Sequence, residues 1–553
     1  MSDTPSPAAP DPITVEVIGN ALSSIVEEMG ETLIRASYST NIKERRDCST
    51  ALFDAAGRCL AQAEHIPIHL GSFIGLIEAI VARVDPATIA DGDVFIGNDA
   101  YTGGGTHLPD IVLASPIFVD GALMAWAVNL AHHADFVDRG HAHIFQEGIR
   151  IPPVRLYRGG QLQEDVLELI LLNCQVPRER RNDLRAQMAA NRTGIARFHA
   201  LCDKHGAQIV AGAAGALLDY AERRMRAGIA TIPDGTYAFE DRFDCHEMAG
   251  ELIFRIVVTV SGDDITLDFR DNPAQQRFSL NLVRTALLAT VYYAVKTVVD
   301  PTVPPNAGLY RPIEVLSTPG TILHAAEPAA VDGRMQTSAR VVDLVHGALA
   351  QAVPERLTAA HNGACIGAVF SGRDPKTGAP YVYLETIGGG FGARAGKDGL
   401  DGVHVHTTNT SNLPVEALES EYPLMIERYA LVEDSGGAGR FRGGMGLERI
   451  VRIEHEECMV EVHYTRALSA PWGLDGGGEG ARFAAETSEG ALPLGGRKMF
   501  GSGAVVRVVT PGAGGYGPPE ERSAAAVRAD LEDGRTSPNL AKMHYPKQLG
   551  EMT

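Results

Sequence analysis

The chain has 553 residues, with 49 Lys and Arg against 69 Asp and Glu, and a formal net charge of −20. That acidic balance excludes the basic footprint of a nucleic-acid binder. A hydrophobic share of 45% beside 21% charged residues marks a soluble globular protein rather than a disordered chain, and the length asks for about three or four domains.

The opening MSDTPSPAAPDP is polar and proline-rich, without a basic start or an apolar run. No export signal or membrane span is therefore expected. Residues 12–38 place Val15, Ile18, Leu22, Ile25, Met29 and Leu33 at helical spacing and predict a long core-facing helix. Short apolar runs at 49–53, 94–97, 111–118 and 123–130 read as strands, with a helical pattern at 74–84 between the first two. The Leu- and Ala-rich stretch 164–218 predicts helix. Alternation over 252–258 then predicts antiparallel strands, and 285–299 a buried helix.

Beyond Tyr381 the chain turns glycine-dense, with GGGFG at 388–392, DSGGAGRFRGGMG at 434–446 and TPGAGGYG at 510–517. Short β-branched runs between these turn signals predict a β-rich region. The expectation is a multidomain α/β (α+β) protein. It has a mixed α/β N-terminal domain over 11–230, a central α+β domain over 231–380, a Gly-rich β-rich domain over 381–519 and a tail over 520–553 that frays or wraps a neighbour. Seven scattered cysteines without a Cys-x-x-Cys pair fit reduced thiols and a cytoplasmic protein.

Two segments concentrate chemistry. Thr106-His107-Leu108-Pro109-Asp110 follows a glycine loop and precedes a strand, while Asn129-Leu130-Ala131-His132-His133-Ala134-Asp135 ends the next strand. A hairpin about Asp120-Gly121 would bring His107 or Asp110 near His132 or His133, and a third carboxylate could come from Asp47 before an earlier strand. Imidazole with carboxylate is the donor set that borderline divalent metals prefer.

Other features weigh less. No G-x-S-x-G elbow is present, and Cys48 reads as a buried thiol more readily than as a nucleophile. The run from Gly392 to Asp398 misses a P-loop by one residue of spacing and by Asp398 in place of the magnesium-holding Ser/Thr. His404 and His406 alternate on an expected strand and so share a face. Glu147 and Arg150, before Pro152-Pro153, suggest an ion pair or a role beside the metal.

In these residues the chain resembles the hydantoinase B/oxoprolinase family, over about Asp11 to Pro519. The resemblance is carried by NIKERRD at 41–47, AEHIPIHLGS at 63–72, GGTHLPD at 104–110, AHHAD at 131–135, EGIRIPPV at 147–154, TSARVVD at 337–343, ETIGGGFGAR at 385–394, HVHTTNTSNLPVE at 404–416 and DSGGAGRFRGG at 434–444. It implies one divalent ion (zinc, manganese or iron) held by Asp47, His107, Asp110 and His132; with those ligands in place, Glu147 or His133 is the expected proton carrier. The segment between Asp135 and Glu147 is shorter than the family's usual loop.

The resemblance further implies a hydantoinase A-type partner that binds ATP and magnesium and phosphorylates a cyclic amide. This chain would then hydrolyse the activated ring of a hydantoin, 5-oxoproline or lactam, in a heterotetramer of two chains of each kind. The alternatives are a subunit of an acetone-carboxylase-type enzyme and a non-catalytic scaffold.

Overall fold

The computed structural model describes residues 10–63, 65–133, 142–174, 176–363, 366–493 and 495–552. The chain forms two compact units. One contains residues up to Gly235 with Thr259–Leu267 and Gln275–Asp332; the other contains Thr236–Val258, Asp268–Ala274 and everything from Gly333 onward. The units thus interleave in sequence between residues 235 and 332, a different partition from consecutive sequence blocks. Among the described residues no helix is long and apolar enough to cross a membrane.

The first unit is built on a seven-stranded antiparallel sheet. Its strands are β1 (Cys48–Asp54), β2 (Cys59–Gln62), β3 (Val94–Gly97), β4 (Asp110–Val119), β5 (Ala122–His132), β6 (Val154–Arg158) and β7 (Gln161–Leu162), in the spatial order β2-β1-β5-β4-β3-β6-β7. Both faces are covered. On one, helix α1 (Pro12–Ala36) packs Ile18, Leu22, Val26 and Met29 against Leu52 and Ala127, together with Phe198 of α2 (Pro177–His205) and Val210 of α3 (Ala207–Ile229). Asp11 caps α1 by accepting from the backbone N–H groups of Ile13 and Thr14.

On the other face Phe53, Phe95, Val112, Trp126, Val128 and Leu130 meet Phe73, Leu76 and Ile77 of two short helices. Alternate residues of each strand go to opposite faces, as the two-residue period demands. Leu52 joins the α1 side, whereas Ala51 and Phe53 join the other.

The second unit contains two four-stranded antiparallel sheets. The first orders Pro380–Ile387, Ile366–Arg373, Cys458–His463 and Arg497–Phe500; the second orders Leu424–Leu431, Leu447–Ile453, Val505–Val509 and Ala484–Thr487. They share one core, in which Phe370, Val460 and Val462 of one sheet join Val451, Ile453, Val506 and Val508 of the other. Helix α4 (Met335–Leu349) is buried from Gln336 to Leu349 without an exposed stripe, so it is enclosed rather than amphipathic.

The glycine-rich segments interlock here by backbone contact. A Cβ on Gly512 would fall on the carbonyl oxygen of Ser435, and one on Gly443 on that of Ala513. Their glycines allow close approach of backbones. Asp398, in the near-miss P-loop, accepts from Arg442 N at 2.7 Å and pairs with both Arg522 Nη1 and Nη2 at 2.8 and 2.9 Å. Arg522 also reaches Asp530 Oδ2 at 2.6 Å. This network and a small core of Ala438, Val527, Ala541 and Tyr545 hold the C-terminal helices Ala524–Glu532, Pro538–His544 and Pro546–Met552 on their own unit. The fraying expected of the tail is thereby corrected.

Candidate metal centre

Sheet register assembles the site in the first unit. Asp110 opens β4 directly opposite His132 at the end of β5, and Cys48 of β1 pairs with Ala131 on the other side of β5. Even-numbered residues of β4 and β5 and odd-numbered residues of β1 share the face of Val112, Val128 and Phe53. Continued by one step, the alternation carries Asp47, Asp110 and His132 to that face. The chain enters β1 through Arg46, whose φ is 55°, and the backbone of Asp47 accepts from His132 N at 3.0 Å.

His107 arrives from the turn before β4. Asn98 holds that turn: its Nδ2 donates to Leu108 O at 2.8 Å and to Ile149 O at 3.0 Å, and its Oδ1 accepts from Ile151 N at 2.7 Å. Gly105 is required because a Cβ there would collide with Asn98 O. The result places His107 Nε2 3.0 Å from Asp110 Oδ1, with the His107 and His132 ring centroids 4.9 Å apart. His107, Asp110 and His132 are all buried, with ligand atoms mutually within 4.8 Å.

His69 also enters the site. Its Nε2 lies 3.5 Å from Asp47 Oδ1 and 3.8 Å from Asp110 Oδ1, and its Nδ1 lies 2.9 Å from Ser49 Oγ. The sequence reading did not single it out, although HIPIHLGS was among the segments carrying the resemblance. The available signal was a histidine between the buried Ile68 and the helix that covers this sheet face.

Neighbours orient the rings. His107 Nδ1 is 3.2 Å from Asp332 Oδ1, and Glu147 Oε1 accepts from Val331 N at 2.6 Å and Asp332 N at 2.8 Å. Asn41 Nδ2 lies 2.9 Å from His132 Nδ1 and donates to His132 O at 2.8 Å, while Asn41 Oδ1 accepts from Arg45 Nη1 at 2.8 Å. His133 faces the other way, with Nε2 3.0 Å from Gln187 Oε1 of α2. Burial and the nearby Arg180 charge push its pKa well down, so its ring is neutral at neutral pH.

The donor set fits a borderline divalent ion. With Nδ1 facing Asp332, His107 presents Nε2, a buried nitrogen whose 3.0 Å approach to Asp110 Oδ1 lacks hydrogen-bond geometry. Carboxylate-to-histidine contacts of this kind fix the tautomer that ligation needs. His132 would ligate as a neutral ring, through the nitrogen that does not carry its one proton. Arg150 pairs not with Glu147 but with Asp99 Oδ2 at 2.5 Å and Glu327 Oε1 at 2.6 Å. Burial beside Asp47 drives the Cys48 thiol far above its ordinary pKa, leaving it an inert core residue. Of the short segment between Asp135 and Glu147, residues up to 141 lie outside the described residues.

The hydantoinase B/oxoprolinase family model matches residues 11–519, and the chain belongs to that family. It is similar to the B component of a putative D-/L-hydantoinase of Pseudomonas sp. (strain NS671), with 32% identity over 97% of this chain and 95% of that protein. It is also similar to the beta subunit of the caprolactamase of Pseudomonas jessenii, with 34% identity over 97% and 96% of the two chains. The crystal structure of the ATP-dependent caprolactamase from that organism superposes with a TM-score of 0.90 at 31% identity, over 97% of this chain and 96% of that one. A nucleotide-free acetone carboxylase structure gives a TM-score of 0.86 at 20% identity, over 97% of this chain and 79% of that one, and shares the fold.

Proposed function

We propose that this chain is the metal-dependent hydrolytic subunit of an ATP-dependent cyclic amide hydrolase. A separate ATP-binding subunit would phosphorylate the carbonyl oxygen of a hydantoin, 5-oxoproline or lactam ring. The observation that carries the reading is the convergence of His107, Asp110 and His132 at one buried point, with Asp47 beside it through His69. The likeness to a caprolactamase at more than 30% identity favours ring hydrolysis over carboxylation.

An amide resists water because nitrogen shares its lone pair with the carbonyl. O-phosphorylation turns the carbonyl into an imidate-like electrophile, on which water adds to carbon and the ring C–N bond breaks. A second water releases phosphate from the acyl phosphate so formed. A divalent ion at Asp47, His107, Asp110 and His132 would lower the pKa of a water there and stabilise negative charge on oxygen.

The surrounding residues place and hold protons. Asp332 fixes the His107 ring, and Glu147 fixes the 331–332 backbone that carries Asp332. Glu147 is therefore assigned as a positioning residue rather than a proton carrier. His133, facing Gln187, is likewise assigned to holding the end of β5 on α2. The proton-handling role passes to His69, whose Nε2 stands beside both Asp47 and Asp110.

The test is ATP-dependent ring opening by the chain co-purified with its ATP-binding subunit, on hydantoin, 5-oxoproline and caprolactam, with metal content measured in parallel. Support is turnover of one ring that disappears together with one equivalent of bound metal in folded His107→Ala. Equal metal and equal turnover in that variant would remove the site. Bicarbonate-dependent ATP consumption with no ring opening would point to carboxylation instead.

A further inference from the structure

The second unit contains another convergence of two imidazoles and a carboxylate, which the proposed reaction does not use. Asp343 comes from α4, His361 from the segment before strand Ile366–Arg373, and His406 from a loop where its φ is 54°. His361 Nδ1 lies 2.9 Å from Asp343 Oδ1 and 2.8 Å from His406 Nε2, and His406 Nε2 lies 3.5 Å from Asp343 Oδ1. All three side chains are at most 2% exposed.

These separations are those of ligands around one ion. Donors about 2.1 Å from a metal stand about 3 Å apart when adjacent in an octahedron and about 3.4 Å apart in a tetrahedron. Hydrogen bonding alone serves the geometry poorly. The two contacts under 3 Å share His361 Nδ1, which cannot donate to Asp343 Oδ1 and accept from His406 Nε2 at once.

The surroundings hold the three atoms in place. Arg466 Nη2 takes the other carboxylate oxygen, Asp343 Oδ2, at 2.7 Å, leaving Oδ1 to the imidazoles. The Phe391 ring packs edge-on against His361 with centroids 4.4 Å apart. Charge also permits a cation: the buried carboxylates of Asp241, Asp244 and Asp343 outnumber the buried guanidinium groups of Arg340 and Arg466. A second histidine and glutamate group in this unit, His246, Glu461 and His463, is less apt. Its imidazoles stack with centroids 4.5 Å apart and planes 23° from parallel, which aims their nitrogens side by side rather than at one point.

We propose that Asp343, His361 and His406 form a second, enclosed site for a borderline divalent cation such as zinc, manganese or iron, which pins α4, the 358–363 segment and the 404–408 loop together. Enclosed from solvent, the site would hold these three segments together rather than meet a substrate.

The test uses the purified full chain, stripped of metal and reloaded with cobalt(II). Wild type is expected to retain about two equivalents, and His361→Gln, His406→Gln and His107→Ala about one each. In the His107→Ala background, cobalt(II) should slow hydrogen exchange in 358–363 and 404–408. Crystals of wild type soaked in cobalt(II) should show an anomalous peak between His361 Nδ1 and His406 Nε2, a readout needing no variant. A single equivalent in wild type that vanishes in His107→Ala, or no anomalous peak at His361 beside a filled site at His107, would overturn the proposal.

Discussion

The two His/Asp constellations are made of the same residue types but built on different supports. In the first unit, Asp47, Asp110 and His132 hang from three neighbouring strands whose register puts them on one face. In the second, a helix, a segment before a strand and a left-handed loop residue each contribute one group. Their charge differs as well. Around His107 the carboxylates of Asp47, Asp110 and Asp332 gather with imidazoles, whereas Asp343 is tied to Arg466. Burial pushes His406 down to about 4, and although burial opposes it, the paired imidazoles and Arg466 hold Asp343 ionised. The first arrangement gathers several carboxylates around its imidazoles; the second rests on one carboxylate, of which Arg466 holds one oxygen and the imidazoles face the other.

The comparison breaks most visibly through the first centre. His107→Ala or Asp110→Ala should lower ring-opening turnover by about three orders of magnitude or more, with one equivalent of bound metal lost and the circular dichroism of the fold retained. Near-wild-type turnover would mean that the chemistry lies elsewhere in the chain.

Compensation in the second centre is tested by Arg466→Met, which leaves Asp343 buried without its guanidinium. Removing one partner of a buried pair costs about 3–5 kcal/mol, to be read as faster hydrogen exchange across α4 and the sheets of that unit. Supplying a divalent ion should recover part of the loss if Asp343, His361 and His406 bind it. An unchanged exchange pattern would show that Arg466 contributes little there.

Asp332→Asn and Glu147→Gln act one step out from the first centre. Each should weaken metal affinity by about 10- to 100-fold, the range for groups that orient a ligand, measured by chelator competition. A fall in turnover with affinity unchanged would instead give Glu147 a direct part in proton transfer.

The contrast between supports also explains what could be read in the sequence. Strands at 49–53, 94–97, 111–118 and 123–130 were legible because period-two patterns and turn residues are local, and the observed β1, β3, β4 and β5 extend them by at most a few residues. From the hairpin at Asp120-Gly121 it followed that His107 or Asp110 comes near His132 or His133. His69 was not legible, since nothing local distinguishes it from His65 four residues earlier. Nor was the second constellation, whose members are brought together by packing across more than sixty residues. The expectation that His404 and His406 share a strand face fails because no strand forms there: His406 turns through positive φ toward His361, while His404 Nε2 lies 3.3 Å from Thr386 O.

The smallest expected effect concerns the C-terminal helices, where a surface-side ion pair replaces a buried one. Burial raises the pKa of Asp398, but its bidentate contact with Arg522 outweighs this and lowers it below the ordinary carboxylate range. A carboxyl depressed in the folded chain contributes stability that is fully present above its unfolded pKa and is lost as pH falls through the folded value. With 34% of the Asp398 side chain exposed, solvent screening limits the contribution to about 1 kcal/mol. Asp398→Asn should therefore loosen residues 524–552 slightly at neutral pH, seen as faster hydrogen exchange in those helices, and the difference from wild type should shrink below about pH 4. An equal difference at both pH values would assign the effect to lost packing rather than to the Arg522 pair.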